Sequence, residues 1–195
     1  MCAGNRCCAH LRERVQAVTA HCTSADAGEP SEDAMIDLPL RTGAKPRTTS
    51  TNPHQQQSQN PPPEVYELLL GKAFEFPHVE RRPSAISVPG AQALWLTEEV
   101  AGARPEAFLI GREFAHVHPP YDGSMHMMLP PEVVDEVLAK SWGEPHPMAR
   151  RGLIPPTAVM VYAPRDAAEV ETVVQVIAAS YRFACGEGRS REPQG

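Results

Sequence analysis

The stretch Glu113-Phe-Ala-His116-Val-His118-Pro-Pro-Tyr-Asp122-Gly-Ser-Met-His126-Met-Met-Leu129 decides the fold. Glu113 to His118 and Ser124 to Leu129 are short, strand-suited runs, and the prolines and Asp122-Gly123 between them turn the chain back. Side chains alternate along a strand, so His116 and His118 share one face, with Phe114 beside them and Ala115 and Val117 opposite. On the returning strand His126 and Met128 share a face, Met125 and Met127 take the other, and His126 falls across from the first two histidines.

Working outward, Ser84 to Val88, Ala93 to Leu96 and Ala107 to Ile110 read as further strands, separated by Pro89-Gly90, Gly102 and Gly111. Pro61-Pro-Pro-Glu opens a helix with Val65, Leu68, Leu69 and Phe76 at helical spacing, and Pro77 stops it. Pro130-Pro131-Glu132 opens a second, with Val133, Val134, Val137 and Leu138 on one face. Ser141-Trp-Gly-Glu-Pro-His-Pro is too rich in proline to be helical. A strand over Ala158 to Ala163 follows, and Asp166 caps a last helix whose Val170, Val173, Val174, Ile177, Ala178 and Tyr181 form a continuous apolar face. The class is α+β: an antiparallel sheet of about five or six strands with helices packed on one face. No βαβ repeat or phosphate-binding glycine loop is present.

The chain divides into residues 1–35, a disordered or mispredicted leader; 36–63, a Pro/Gln-rich extended arm; 64–186, the α+β domain; and 187–195, a disordered tail. The arm is too polar to offset its own ordering entropy, so it is either a free tail or a strap lying on the domain. Cys2, Cys7, Cys8 and Cys22 crowd the leader and Cys185 ends the last helix, which is no disulfide framework. With His10 and His21 the leader cysteines suggest a zinc knuckle, but their spacing matches no standard finger.

A formal charge of -6 and the lack of a basic stripe argue against nucleic acid. No apolar run approaches the roughly 20 residues that span a bilayer, and the start lacks a secretory pattern, so the expectation is a soluble, intracellular, cytoplasmic protein with no membrane partner.

The chemistry concentrates in His116, His118, Asp122 and His126. Three imidazoles and a carboxylate suit a metal ion held by His116, His118 and His126. They equally suit metal-free acid/base work on an enol or phenol whose anion then meets O2 directly. The plainer reading is that they hydrogen-bond the hairpin turn and the Trp142 loop. Trp142 and His146 are candidates to line a pocket, against Trp142 as core and His146 as surface. Tyr162 ends a strand, and Arg165 either receives a substrate anion or pairs with Asp166 or Glu169 on the helix. Met125, Met127 and Met128 read as core filling.

Arg112-Glu-Phe-Ala-His-Val-His, then Asp122 and His126, Trp142-Gly with His146-Pro147, and Tyr162-Ala-Pro-Arg165 resemble, in order and spacing, the fungal luciferases and their uncharacterised relatives. Asp37-Leu-Pro-Leu-Arg-Thr-Gly-Ala-Lys-Pro upstream looks like that family too, so the resemblance covers nearly the whole chain after residue 35. It differs at Pro119-Pro120-Tyr121 and Gly123 and lacks the membrane-anchoring segment of the light emitters. The resemblance implies an enzyme related to those that add O2 to the hydroxylated styryl-pyrone 3-hydroxyhispidin, releasing light and CO2 without a flavin.

Two functions follow as expectations. The first is a small-molecule enzyme, an oxygenase-type oxidoreductase or proton-transfer catalyst acting on an enolisable aromatic or polyketide-like compound. Here His116, His118 and His126 supply acid/base or ligand groups, Asp122 orients one imidazole, and Trp142, His146, Tyr162 and Arg165 hold the substrate. The second is a non-catalytic binding or scaffolding module of the same fold. No organic cofactor is called for, with O2 as a co-substrate and a metal ion as the open question.

Overall fold

A computed structural model describes residues 36–100 and 104–186; the leader, with its cysteines, and the tail lie outside the described residues. The order is helix α1 (Pro63–Ala73), strands β1 (Val79–Pro83) and β2 (Gln92–Leu96), a 3-10 turn (Pro105–Ala107), β3 (Glu113–Val117), β4 (Met125–Met128), α2 (Pro131–Ala139), β5 (Gly143–Pro145), α3 (Pro147–Arg150), β6 (Ala158–Val161) and α4 (Ala167–Cys185). The six strands form one sheet in the order β1-β2-β3-β4-β6-β5, every pair antiparallel. This is the α+β class expected.

Local chemistry sets the helix ends. Prolines occupy the first turns of α1 and α2, where the missing N–H costs nothing. Asp166 caps α4 by accepting from the Glu169 N–H at 2.9 Å, and Gly186 closes it in the left-handed conformation. α4 lies across β3 and β4, with α1 beside it; Tyr181 meets Phe76 and Phe114, and the Ser180 hydroxyl donates to the Met128 carbonyl at 2.7 Å. Leu94, Ala115, Val117, Met125, Met127, Val159 and Val161 join this apolar layer. The methionines are buried, as expected of core. The buried face of α1 is Val65, Tyr66, Leu69, Leu70 and Ala73, whereas Leu68 is 36% exposed.

The strand boundaries required correction. Ser84 to Val88 is a turn, and Ala107 to Ile110 holds only the end of the 3-10 turn and one isolated bridge, Ile110 to Glu113. The first strand is instead Val-Glu-Arg-Arg-Pro, residues 79–83, whose charges and closing proline suit a sheet edge and erase the alternating pattern. At the other edge, the proline-rich loop expected around Trp142 contains β5 and the short α3.

Residues 36–62 are not a free tail. Leu38 is 1% exposed in the core, and its N–H donates to Glu136 Oε1 at 3.0 Å. The Trp142 indole donates to the Pro39 carbonyl at 2.6 Å, and the Arg41 N–H to the Lys140 carbonyl at 2.9 Å. The Arg41 guanidinium reaches Glu169 at 3.5 Å, and Gln56 accepts from the Ala163 N–H at 3.0 Å. The strap is thereby fastened to α2, to the loop before β5 and to the start of α4, and His54 reaches His126 on the sheet face opposite α4.

Candidate active site

One row of paired residues crosses that face: Ala93 opposite His116, His116 opposite His126, His126 opposite Met160, and Met160 opposite Glu144. Directly paired residues point to the same side, so the alternation that faces Val117 and Met125 toward the helices faces His116 and His126 away from them.

A β-bulge adds a group that alternation alone denies to this face. Leu94 pairs with Ala115 but Trp95 pairs with Glu113, so Phe114 is the extra residue. The insertion turns Phe114 to the helix side, against Tyr181, and brings Glu113 round to His116, whose Nδ1 it meets at 2.8 Å. The expectation that Phe114 shares the histidine face is therefore overturned. Ser84 Oγ and the Ala85 N–H also donate to Glu113, at 2.7 and 3.0 Å. Burial works against the Glu113 charge, but these bonds and the His116 contact outweigh it and keep its pKa below the ordinary value.

The cluster holds five imidazoles. His116 Nε2 is 3.2 Å from His126 Nδ1, and His126 Nε2 is 3.2 Å from His54 Nδ1 on the strap. His54 Nε2 meets Glu144 Oε1 at 2.8 Å, so a carboxylate ends the line on each side. His118 Nδ1 lies 2.7 Å from Asp122 Oδ2, whose other oxygen accepts from the Ser124 N–H and hydroxyl. Tyr66 on α1 holds the His118 carbonyl at 3.0 Å. His146 packs 4.8 Å from His126, ring centre to ring centre, and its Nδ1 accepts from the Met148 N–H at 3.1 Å.

These partners assign the tautomers, because an ionised carboxylate only accepts and an N–H only donates. His116 and His118 carry their protons on Nδ1, toward Glu113 and Asp122, leaving Nε2 of each as a lone pair. His54 donates through Nε2 to Glu144, so its Nδ1, like His116 Nε2, offers His126 a lone pair, and the single proton of neutral His126 can serve only one of the two, leaving it a lone pair of its own. His146, accepting at Nδ1, has its proton on Nε2. Burial first, then the neighbouring imidazoles, pushes His126 well below the ordinary histidine value; His116 is lowered by burial against the pull of Glu113. Burial and the other imidazoles bring His146 down to about 4.

The face opens into a cavity of about 470 Å³, lined by His54, His116, His118, His126 and His146 and walled by apolar Ile86, Val88, Leu109 and Ile154. The structure thus brings together His116, His118, His126 and His146, with Asp122 behind His118. It does not bring Trp142, Tyr162 or Arg165 to the cavity. Trp142 is buried and tied to Pro39. The Tyr162 hydroxyl donates to Glu144 Oε2 at 3.1 Å, and Arg165 is forked onto Glu169. Each of the three fastens the strap, Glu144 or the α4 cap, and none contacts the space a substrate would fill.

A family model described as the Luciferase domain matches residues 111–180. Among curated relatives, the luciferases of Armillaria gallica and Armillaria ostoyae are 33% identical over 76% of this chain and 62% of their own length. That of Neonothopanus nambi is 30% identical over 76% of this chain and 61% of its own. The chain is luciferase-like, with the domain match lying in residues 111–180. The match therefore spans less than two thirds of these relatives, and no solved structure matches the chain significantly. The luciferase domain match takes in all the site residues expected from sequence, while His54 lies outside it. No helix among the described residues is long and apolar enough to cross a membrane.

Three members of the site escaped sequence reasoning: Glu113 by its parity, and His54 and Glu144 by their distance along the chain from the residues they meet. Glu144 is the strap's electrostatic anchor. Its burial favours the neutral acid, but bonds from His54 and Thr48, the field of His54 and the Tyr162 hydroxyl prevail and bring its pKa down to about 2. A depressed acid stabilises the fold fully above its ordinary value of 4.5 and loses that contribution as pH falls toward 2. Urea melts should therefore show Glu144→Gln clearly less stable than wild type at pH 6, with the gap narrowing between pH 4.5 and 2. A gap independent of pH would show that the carboxylate charge does not hold the strap.

Proposed function

We propose that this protein is an oxidoreductase that ionises a small, hydroxylated, enolisable aromatic or polyketide-like compound and lets the resulting enolate react with O2. The observation that carries the reading is the set of lone-pair nitrogens on His116, His118 and His126 beside an apolar-walled cavity, two of the rings backed by a carboxylate. A carboxylate behind an imidazole fixes the tautomer and stabilises the cation formed when the ring takes a proton. His118 Nε2, with Asp122 behind it, is the group best built to receive the hydroxyl proton. The Nε2–H of His146 is left to donate to the oxyanion. The cavity has the volume of an ordinary small-molecule site and suits a planar ring bearing few polar groups. The relatives' name, luciferase, supports an oxidative reading of the site.

The test is oxygen consumption by the full chain against a panel of hydroxypyrones and polyphenols, with products followed by mass spectrometry. Enzyme-dependent oxygen uptake with at least one hydroxypyrone is the expected result. Saturable binding with no oxygen uptake across the panel would replace the enzyme by a ligand-binding module.

A further inference from the structure

The line Glu113, His116, His126, His54, Glu144 has four polar contacts, and three neutral imidazoles bring only three protons to fill them. With a carboxylate drawing a proton at each end, His126 has one proton for two contacts of 3.2 Å, and at His116 Nε2 or at His54 Nδ1 two lone pairs face each other; an ion between His116 and His126 frees that proton for His54. A buried contact of two acceptors is unfavourable and calls for something positive between them. A proton there would satisfy that one contact, paired with a carboxylate at the end of the line, and leave the third lone pair, on His118, unused.

We propose that His116, His118 and His126 hold a divalent first-row transition-metal ion, with its open coordination positions toward the cavity. One ring nitrogen of each residue lies within 4.8 Å of those of the other two. Nitrogens about 2.1 Å from one ion at tetrahedral or octahedral angles are about 3.0–3.4 Å apart, which the His116–His126 pair already satisfies. Neutral imidazoles select zinc, iron, cobalt, nickel or copper over calcium or magnesium. Glu113 and Asp122 are the outer-shell carboxylates that orient such ligands. The other cluster of suitable spacing, His54, His126 and His146, fails on tautomers. His146 spends its Nδ1 lone pair on the Met148 N–H, which leaves a proton on its Nε2 and no nitrogen free to ligate.

With the ion bound, the three lone pairs would be committed to it, and a substrate hydroxyl coordinated there would release its proton to solvent instead of to His118. That use of the ion rests on the proposed function; the binding itself does not. The experiment is a titration of the full chain with Co2+, followed by visible absorption and by metal content after desalting. One equivalent is expected, with bands of nitrogen and oxygen ligation and no thiolate-to-cobalt charge transfer. His116→Gln, His118→Gln and His126→Gln should each weaken uptake at least a hundredfold, while His146→Gln should stay within a few-fold. Glu113→Gln, which keeps all three ligands, should weaken it about 10- to 100-fold. No uptake by the wild type overturns the proposal, as does charge transfer from the leader cysteines with uptake intact in the three histidine variants. Loss in His146→Gln with retention in His118→Gln would overturn it in favour of the other cluster. Oxygen uptake by metal-free protein that rejects Co2+ defeats this inference alone, whereas Co2+ binding without turnover of any panel compound defeats only the proposed function.

Discussion

Asp122→Asn should cost the oxygen-consuming reaction roughly 10²- to 10⁴-fold, the range associated with a positioned acid/base group or a misplaced tautomer, while the fold survives. The substitution is isosteric. The new amide can still accept from Ser124 through its oxygen, as the carboxylate does now. Its NH2, however, faces His118 Nδ1, where the carboxylate accepts at 2.7 Å, and two donors cannot share that contact. His118 then carries its proton on Nε2 and presents a donor to the cavity in place of a lone pair. In that state it neither takes a proton nor ligates an ion, so the loss is expected with and without metal. Thermal unfolding and the affinity for a bound hydroxypyrone should change little while the turnover number falls. Full activity in Asp122→Asn would remove His118 from the chemistry.

Gly143→Ala should destabilise the protein by about 3 kcal/mol, at the upper end of what overpacking costs. A Cβ at Gly143 would stand 2.3 Å from the Met160 carbonyl oxygen and 2.9 Å from Val137 Cγ1. The first is backbone of the neighbouring strand and the second is packed in the core, so neither yields without separating β5 from β6. β5 carries Glu144, and Trp142 immediately precedes it, so the strap loses its holds at His54 and Pro39 together. Gly71 makes the contrast: it lies inside α1 with open space around its Cα, and Gly71→Ala should stabilise the protein by about 0.5–1 kcal/mol. Urea midpoints of the two variants should move in opposite directions, and a Gly143→Ala midpoint equal to wild type would mean that β5 can shift freely.

The two variants also mark where sequence reading stops. The hairpin of β3 and β4, the proline starts of α1 and α2 and the capped apolar face of α4 were all legible, because each is a local pattern repeating with the period of its own element. Alternation likewise placed His116 opposite His126. It failed at Phe114, because a bulge breaks the period by one residue and is chosen by packing against β2, not by anything local to Glu113-Phe-Ala. β1 and β5 were missed because edge strands are short, charged or proline-bearing and so carry little hydrophobic rhythm.

By itself, then, the sequence determined the α+β class, the hairpin and the fact that histidines gather on it. Only the tertiary structure decided what those histidines are. It seats His54 on His126 across 72 residues of chain and on Glu144 across 90, and it turns Glu113 beneath His116. Those contacts set which ring nitrogen of His116 and of His54 carries the proton. A tautomer is a property of a ring's partners, and partners so distant along the chain leave no periodic trace in it.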